Sequence, residues 1–215
     1  MILVVDIGTS SVRAAAVDAE AGELVDVTQR PFAPSTPAPG LVEFDPADLA
    51  STLLDAAEEI CSRHRDLASV AVTAQRASTV VWDRSTGVPI GPGLGWQDLR
   101  TVVDCLTARA EHQVEIAPNQ TATKAAHLIT NAGVDPASVL IGTIDAWAVW
   151  TLTRGASHIT DHTNAAVTGL YSAPLSGWDP DLCAVFGIDP ASLPTVVDSF
   201  GDLAVATALS TPLPV

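Results

Sequence analysis

Apolar positions at the start of the chain fall into short runs separated by turn residues. Met1–Val5 is a β-type run, Asp6 to Ser11 is a turn, and Val12–Val17 resumes the run with Arg13 inside it. Asp18-Ala19-Glu20-Ala21-Gly22 is a second turn and Glu23–Thr28 a third strand. Such runs joined by short turn clusters predict an antiparallel three-strand meander. The four prolines between Pro31 and Gly40 predict an extended surface loop.

The period then changes. Asp45 can cap a helix, and Pro46 suits its first turn, where no N–H is needed. Leu49, Leu53, Leu54, Ala57, Ile60 and Cys61 follow at helical spacing on one face. Leu67–Thr73 and Ser78–Trp82 read as strands, with a turn at Asp83-Arg84-Ser85-Thr86-Gly87. Helices are expected over Thr101–His112, Thr123–Ala132 and Ile144–Thr153, the last led by the apolar run Leu140–Thr143. Asp-Pro recurs at Asp45, Asp135, Asp179 and Asp189 as a helix starter, with Gly187 closing a short helix after Asp179. The tail from Leu203 to Val215 is small, apolar and Pro-containing, as expected of a chain cut inside a fold.

Composition narrows the function classes. With 215 residues, 47% hydrophobic and 16% charged, the chain can bury a core and is not a disordered one. Lys+Arg 10 against Asp+Glu 25 gives a formal charge of −15. A field of that sign repels phosphate backbones and anionic lipid, so neither a nucleic-acid nor a membrane partner is expected. It does not prevent a small anion from binding local backbone N–H groups. No apolar run reaches the roughly 18–20 residues of a bilayer span, and Asp6 follows the first apolar residues at once, unlike a signal peptide. Cys61, Cys105 and Cys183 are odd in number and widely spaced, which fits neither a disulfide framework nor a zinc site. A cytoplasmic location is the expectation.

The candidate chemistry starts at Asp6-Ile7-Gly8-Thr9-Ser10-Ser11-Val12-Arg13. An apolar strand delivers a carboxylate to its end. Gly8 allows close backbone approach, and the hydroxyls and N–H groups of Thr9, Ser10 and Ser11 can face anionic oxygens. Arg13 adds positive charge or lies on the surface. A carboxylate here needs a partner, and hydrated Mg²⁺ is a natural one in a phosphate site. An ordinary hairpin turn has the same composition. The Gly-Lys-Ser/Thr element of a Walker A loop is absent.

This stretch resembles the first phosphate motif of the FGGY carbohydrate kinases. Further stretches resemble that family in order: Thr73-Ala74-Gln75-Arg76; Val81-Trp82-Asp83 with Thr86-Gly87-Val88-Pro89-Ile90; Gly95-Trp96-Gln97-Asp98-Leu99-Arg100; Gly142-Thr143-Ile144-Asp145-Ala146-Trp147; and Thr160-Asp161-His162-Thr163-Asn164-Ala165-Ala166, followed by Trp178-Asp179. The first motif alone is shared with actin-like and Hsp70-like ATPases; the ordered set is specific. The resemblance implies an α/β, ribonuclease H-like fold of the actin/Hsp70 type, a mixed sheet with the N-terminal meander flanked by helices. Residues 1–215 would form the N-terminal domain, with a C-terminal kinase domain as its partner. The implied reaction moves the γ-phosphoryl group of ATP, with Mg²⁺, to a hydroxyl of a sugar or polyol.

Carried over residue by residue, the resemblance puts Asp6 near Mg²⁺ and Gly8, Thr9, Ser10, Ser11 and Arg13 at nucleotide phosphates. Gln75 and Arg76 fall at the sugar, where a guanidinium fork suits a polyol. Trp96 falls at an apolar wall of the sugar site, or in plain core packing. Asp98 would orient the substrate or Trp96, or cap a helix. Glycerol-phosphorylating members carry Glu where this chain has Ala77, and Tyr where it has Asn119. A larger sugar or polyol is therefore expected, with Asn119 and Gln120 as hydroxyl readers. The family's general base, an Asp in a Gly-Asp-Gln segment, is expected beyond Val215, so these residues alone should not turn over. Asp161 and Asn164 are expected to hold a loop by side-chain-to-backbone bonds, and His158 and His162 to be ordinary loop histidines. A homo-oligomer is an arrangement that apolar area exposed at the cut would favour. The other reading is a non-catalytic actin/Hsp70-like module that binds nucleotide or a protein partner.

Overall fold

The computed structural model describes residues 1–172 and 177–215. In chain order the strands and helices are β1 (Ile2–Ile7), β2 (Ser11–Asp18), β3 (Glu23–Pro31), β4 (Glu43–Phe44), α1 (Pro46–Arg63), β5 (Ser69–Ala74), β6 (Thr79–Asp83) and β7 (Gly93–Leu94). Then come α2 (Val102–His112), α3 (Thr121–Ala132), β8 (Val139–Thr143), α4 (Ile144–Leu152), β9 (Ile159–Asp161), α5 (His162–Ala165) and β10 (Tyr171–Ser172). β11 (Gly177–Trp178), α6 (Pro180–Val185), β12 (Thr195–Val197), β13 (Val205–Ala206) and β14 (Leu213–Pro214) complete the order.

The meander forms as its patterning predicts. β1, β2 and β3 are antiparallel, and β5 adds parallel to β1, giving the order β3-β2-β1-β5. A second four-stranded sheet, β4-β7-β6-β8, is antiparallel throughout. Leu3, Val5 and Ile7 alternate onto the buried face of β1. They share a core with Leu49, Leu53 and Ile60 of α1. Fully burying each such side chain contributes about 1.5–3 kcal/mol. Asp45 caps α1 by accepting from the Ala47 N–H at 2.8 Å. Trp147 of α4 ties the same helix start by donating its indole N–H to the Pro46 carbonyl at 2.9 Å.

Several boundaries move for local reasons. The helix expected from Thr123 starts at Thr121, two residues after Asn119. Asp135-Pro136 and Asp189-Pro190 open only single 3₁₀ turns, because each runs directly into extended backbone at Val139 and Leu193. The tail forms a small antiparallel pair, β13 with β14.

An aromatic group lies between β6, α4 and the loop before β9. Trp82 packs edge-on to Trp147 and His158, with ring centroids 5.0 and 5.2 Å away. His158 donates from Nε2 to the Ile141 carbonyl at 3.0 Å. Burial nevertheless lowers its pKa to about 4 from 6.5. The unfolded chain then binds the proton more tightly, so this group's stability is fully present above pH 6.5 and lost as pH falls toward 4. Comparing urea unfolding at pH 7 and pH 4.5, His158→Gln should lose less stability between them than the wild type; equal losses would remove His158 from the acid response. At Gly93, an added Cβ would meet the Phe44 ring at 2.2 Å. Gly93→Ala should therefore cost about 1–3 kcal/mol in the same measurement.

Candidate functional site

The phosphate-side residues sit at one end of the first sheet. In the β1–β2 register Asp6 faces Arg13. The turn between them closes with the Gly8 N–H donating to the Ser11 carbonyl at 2.9 Å. A Cβ on Gly8 would come within 3.3 Å of that oxygen, so glycine keeps the turn tight. Arg13 donates from Nη1 to Asp6 Oδ2 at 3.0 Å and from Nε to Gln29 Oε1 at 3.3 Å. Both members of the pair stay partly open to solvent, 45% for Arg13 and 39% for Asp6. Ser10 is exposed and Thr9 half-buried, whereas Ser11 is buried. The hydroxyls left at the surface of the turn are therefore those of Thr9 and Ser10.

The acceptor-side residues arrive from three connections. β5 runs beside β1, and its extension is held where the Gln75 N–H donates to the Ile7 carbonyl at 2.8 Å. This brings Gln75 and exposed Arg76 out next to the phosphate turn. Ala77 follows at φ 67°, a left-handed conformation that alanine adopts at a cost. Trp96 lies on the loop after β7. Its backbone N–H donates to Ser78 Oγ at 3.0 Å, and its indole N–H points to Thr9 Oγ1 at 3.4 Å. The indole is 41% exposed, so its ring is not packed away in the core. Asn119 is exposed before α3, and Gln120 turns its Oε1 back to accept from the Ala117 N–H at 2.8 Å.

Asp98 has neither solvent access nor a helix-capping role. It is completely buried. Its oxygens accept from the Val42 N–H at 2.6 Å and from the Arg100 N–H, Nε and Nη2 at 3.0, 2.8 and 2.8 Å. Arg100 also reaches Glu43 at 2.7 Å. Burial pushes the Asp98 carboxyl up, but its bonds to Arg100 and Val42 outweigh this and hold it below the ordinary value. With no exposed atom, Asp98 offers no surface to a substrate, and its bonds tie the loop that carries Trp96 to Val42. Sequence reasoning missed Arg100, Ser78 and Lys124 as parts of this site. Lys124 is the only lysine in the chain, and it interrupts the apolar face of α3, which was the signal available.

Asp145 and Asp161 form a second polar group, away from this edge. Asp145 is bonded by the hydroxyls of Thr143 and Thr160, and burial raises its carboxyl. Asp161 caps α5 by accepting from the Asn164 N–H at 2.8 Å, and it also binds Ser199 Oγ at 2.6 Å. His158 and His162 diverge, the latter toward Tyr171. Among the described residues, no group of three or more His, Cys, Asp or Glu side chains is arranged to hold a metal ion. No helix among them is long and apolar enough to cross a membrane.

The fold defines a class. Glycerol kinase from Plasmodium falciparum with ADP superposes with a TM-score of 0.90 at 23% identity, over 100% of this chain and 48% of that one. Xylulose kinase from Rhodospirillum rubrum superposes at 0.86 and 21%, over 99% and 48%. The ribonuclease H-like, actin/Hsp70-type architecture is thus shared with sugar kinases. The N-terminal domain of the FGGY family of carbohydrate kinases matches residues 1–208, and the chain belongs to that family. A glycerol kinase from Aromatoleum aromaticum is 38% identical over 93% of this chain and 44% of its own length. One from Rhodospirillum centenum is 36% identical over 100% and 47%. The chain therefore spans less than half the length of these curated relatives.

Removing the buried charge at Asp98 leaves Arg100 without its main partner. Asp98→Asn should cost about 3–5 kcal/mol in denaturant unfolding, and a change under about 1 kcal/mol would mean that solvent reaches the pair.

Proposed function

We propose that the chain is the acceptor- and phosphate-binding domain of an ATP-dependent carbohydrate kinase, completed by a C-terminal domain in a longer protein. Family membership supports this reading. The observation that carries it is the 3.4 Å approach of the Trp96 indole to Thr9, which sets the candidate sugar wall against the candidate phosphate turn. Phosphoryl transfer needs this juxtaposition, because positioning and charge neutralisation supply most of the rate.

In this reading Thr9, Ser10 and the N–H groups of their turn bind phosphate oxygens. Arg13 supplies positive charge, and buried Ser11 shapes the turn. Asp6 and Arg13 fit a magnesium–nucleotide phosphate group, being a carboxylate and a guanidinium of opposite sign, both partly open to water. Magnesium, when bound, neutralises phosphate charge. Arg76 and Gln75 donate to acceptor hydroxyls, and Trp96 offers a flat face to the C–H side of the acceptor. Asn119 reads a further hydroxyl. The carboxylate that takes the hydroxyl proton belongs to the Gly-Asp-Gln segment expected after Val215.

The acceptor proposed is a sugar or polyol other than glycerol. Ala77 offers only a methyl and Asn119 only an amide where the resemblance places a carboxylate and a phenol. A site that loses buried hydrogen-bonding partners discriminates strongly against the ligand they served.

The test is to express the intact protein that carries this chain and screen ATP-dependent phosphorylation across polyols, ketoses and aldoses. One acceptor should exceed glycerol in kcat/KM by at least about tenfold. With that acceptor, Arg76→Ala should lower kcat/KM by about two orders of magnitude, chiefly through acceptor KM. Absence of phosphorylation across the panel would overturn the kinase reading, and glycerol as best substrate would overturn the acceptor assignment.

A further inference from the structure

Lys124 breaks three rules at once. It is completely buried. Among the described residues it has no ion-pair partner, and only Asp98 acts on it at longer range. It also lies in the first turn of α3, where the helix dipole repels a cation, and no acidic residue offsets this. Buried unpaired charges are costly, and sites that keep several such costs together are expected to be functional ones.

Its contacts show what it connects. Lys124 Nζ donates to the Ala77 carbonyl at 3.2 Å and to the Asn119 carbonyl at 2.9 Å. Ala77 directly follows Arg76, and Asn119 is a further candidate hydroxyl reader. The Ala77 carbonyl accepts a second bond from Thr79 Oγ1 at 3.3 Å. Two donors on one oxygen fix the direction of the Ala77 carbonyl, at a residue that already carries a strained positive φ. The neighbouring hydroxyls of Thr101 and Thr123, 2.8 Å apart, join the start of α2 to α3 beside the same lysine. Arg76 lies on the β5–β6 connection and Asn119 on the α2–α3 connection, and the paired carbonyls link the two directly.

We propose that Lys124 is a positioning residue of the acceptor half-site: its buried ammonium clamps the Ala77 and Asn119 carbonyls and so fixes the spacing between the Arg76 and Asn119 side chains. The proposal rests on the kinase reading above for its consequence, and on geometry alone for the clamp. Burial lowers the ammonium pKa to about 8, so the group is still charged at neutral pH, where two carbonyl dipoles are its direct partners. A methionine of similar length would fill the space and hold neither carbonyl.

The experiment has two arms on the intact protein, comparing wild type with Lys124→Met. The first is amide hydrogen exchange without substrate, read by mass spectrometry. Segments 75–79 and 117–122 should both exchange roughly tenfold faster, while β2, β3 and α1 keep their rates. The second is steady-state kinetics with the preferred acceptor. Acceptor KM should rise about tenfold or more while KM for ATP stays within about twofold. Unchanged exchange, acceleration of one segment alone, or a uniform rise across the domain overturns the clamp. So does a parallel rise in both KM values. If Lys124→Met does not fold, Lys124→Gln serves in both arms, because its shorter neutral amide cannot span both carbonyls. The first arm judges the clamp even if no sugar is phosphorylated. A silent wild-type enzyme with the exchange signature intact overturns the kinase reading and leaves the clamp standing.

Discussion

Leu3, Val5 and Ile7 point from one face of β1 into the same core as Leu49, Leu53, Ala57 and Ile60 of α1. That burial fixes the register of β1 between β2 and β5, since a slip of one residue would turn all three side chains to the other face. Register then decides which residues emerge together at the end of the first sheet. Asp6 falls opposite Arg13 on one side and beside Thr73 on the other. The turn at Gly8 and the strand exit at Gln75 must therefore emerge together. The proposed phosphate and acceptor residues emerge side by side because β1 and β5 run in register.

The two halves of the edge are held by different forces. The proposed phosphate half is held by ladder bonds of the first sheet and by the Gly8–Ser11 closure of its turn. The acceptor half is made of connections, and connections have no ladder. Polar groups beneath them do that work: Ser78 under the Trp96 backbone, Asp98 between Val42 and Arg100, and Lys124 between Ala77 and Asn119. Such groups are expensive to bury and strong once paired, because the surrounding dielectric is low. The strained Ala77 peptide belongs to this arrangement. Its backbone is left-handed and its carbonyl is bound from two sides.

The FGGY membership explains why a strongly acidic domain can be read as handling nucleotide phosphate. The net charge of −15 concerns the whole surface. A local turn of N–H groups with one arginine acts over a few ångströms, well inside the screening length. Leu99, Val102, Val103 and Leu106, at and before α2, are exposed. Only Cys105 and Ala108 of α2 are buried. This helix buries little of its surface, and Thr101, just before it, carries a bond that joins it to α3.

Local pattern alone determined the meander, α1 with its Asp45 cap, the phosphate turn and the ordered family motifs. Each depends on neighbours in sequence: alternation for β1 and β2, a period of 3.6 for α1, and turn chemistry for Gly8 to Ser10, the expected turn from Asp6 to Ser11 being shorter because β1 runs to Ile7 and β2 opens at Ser11. The same pattern placed Arg76, Trp96 and Asn119 on loops without saying that Trp96 reaches Thr9 or that Lys124 joins the Ala77 and Asn119 carbonyls. It left Asp98 open between substrate contact, Trp96 orientation and a helix cap. Tertiary structure decided these points. Asp98 is closed from solvent because Val42 and Arg100, 56 residues and two residues away, converge on its oxygens. Trp96 stays partly open because its backbone is tethered and its ring is not. The role of Lys124 depends wholly on carbonyls supplied by residues 47 and five positions earlier. Backbone carbonyls carry no sequence signature, so a residue that works by binding them becomes visible only once the chain has folded around it.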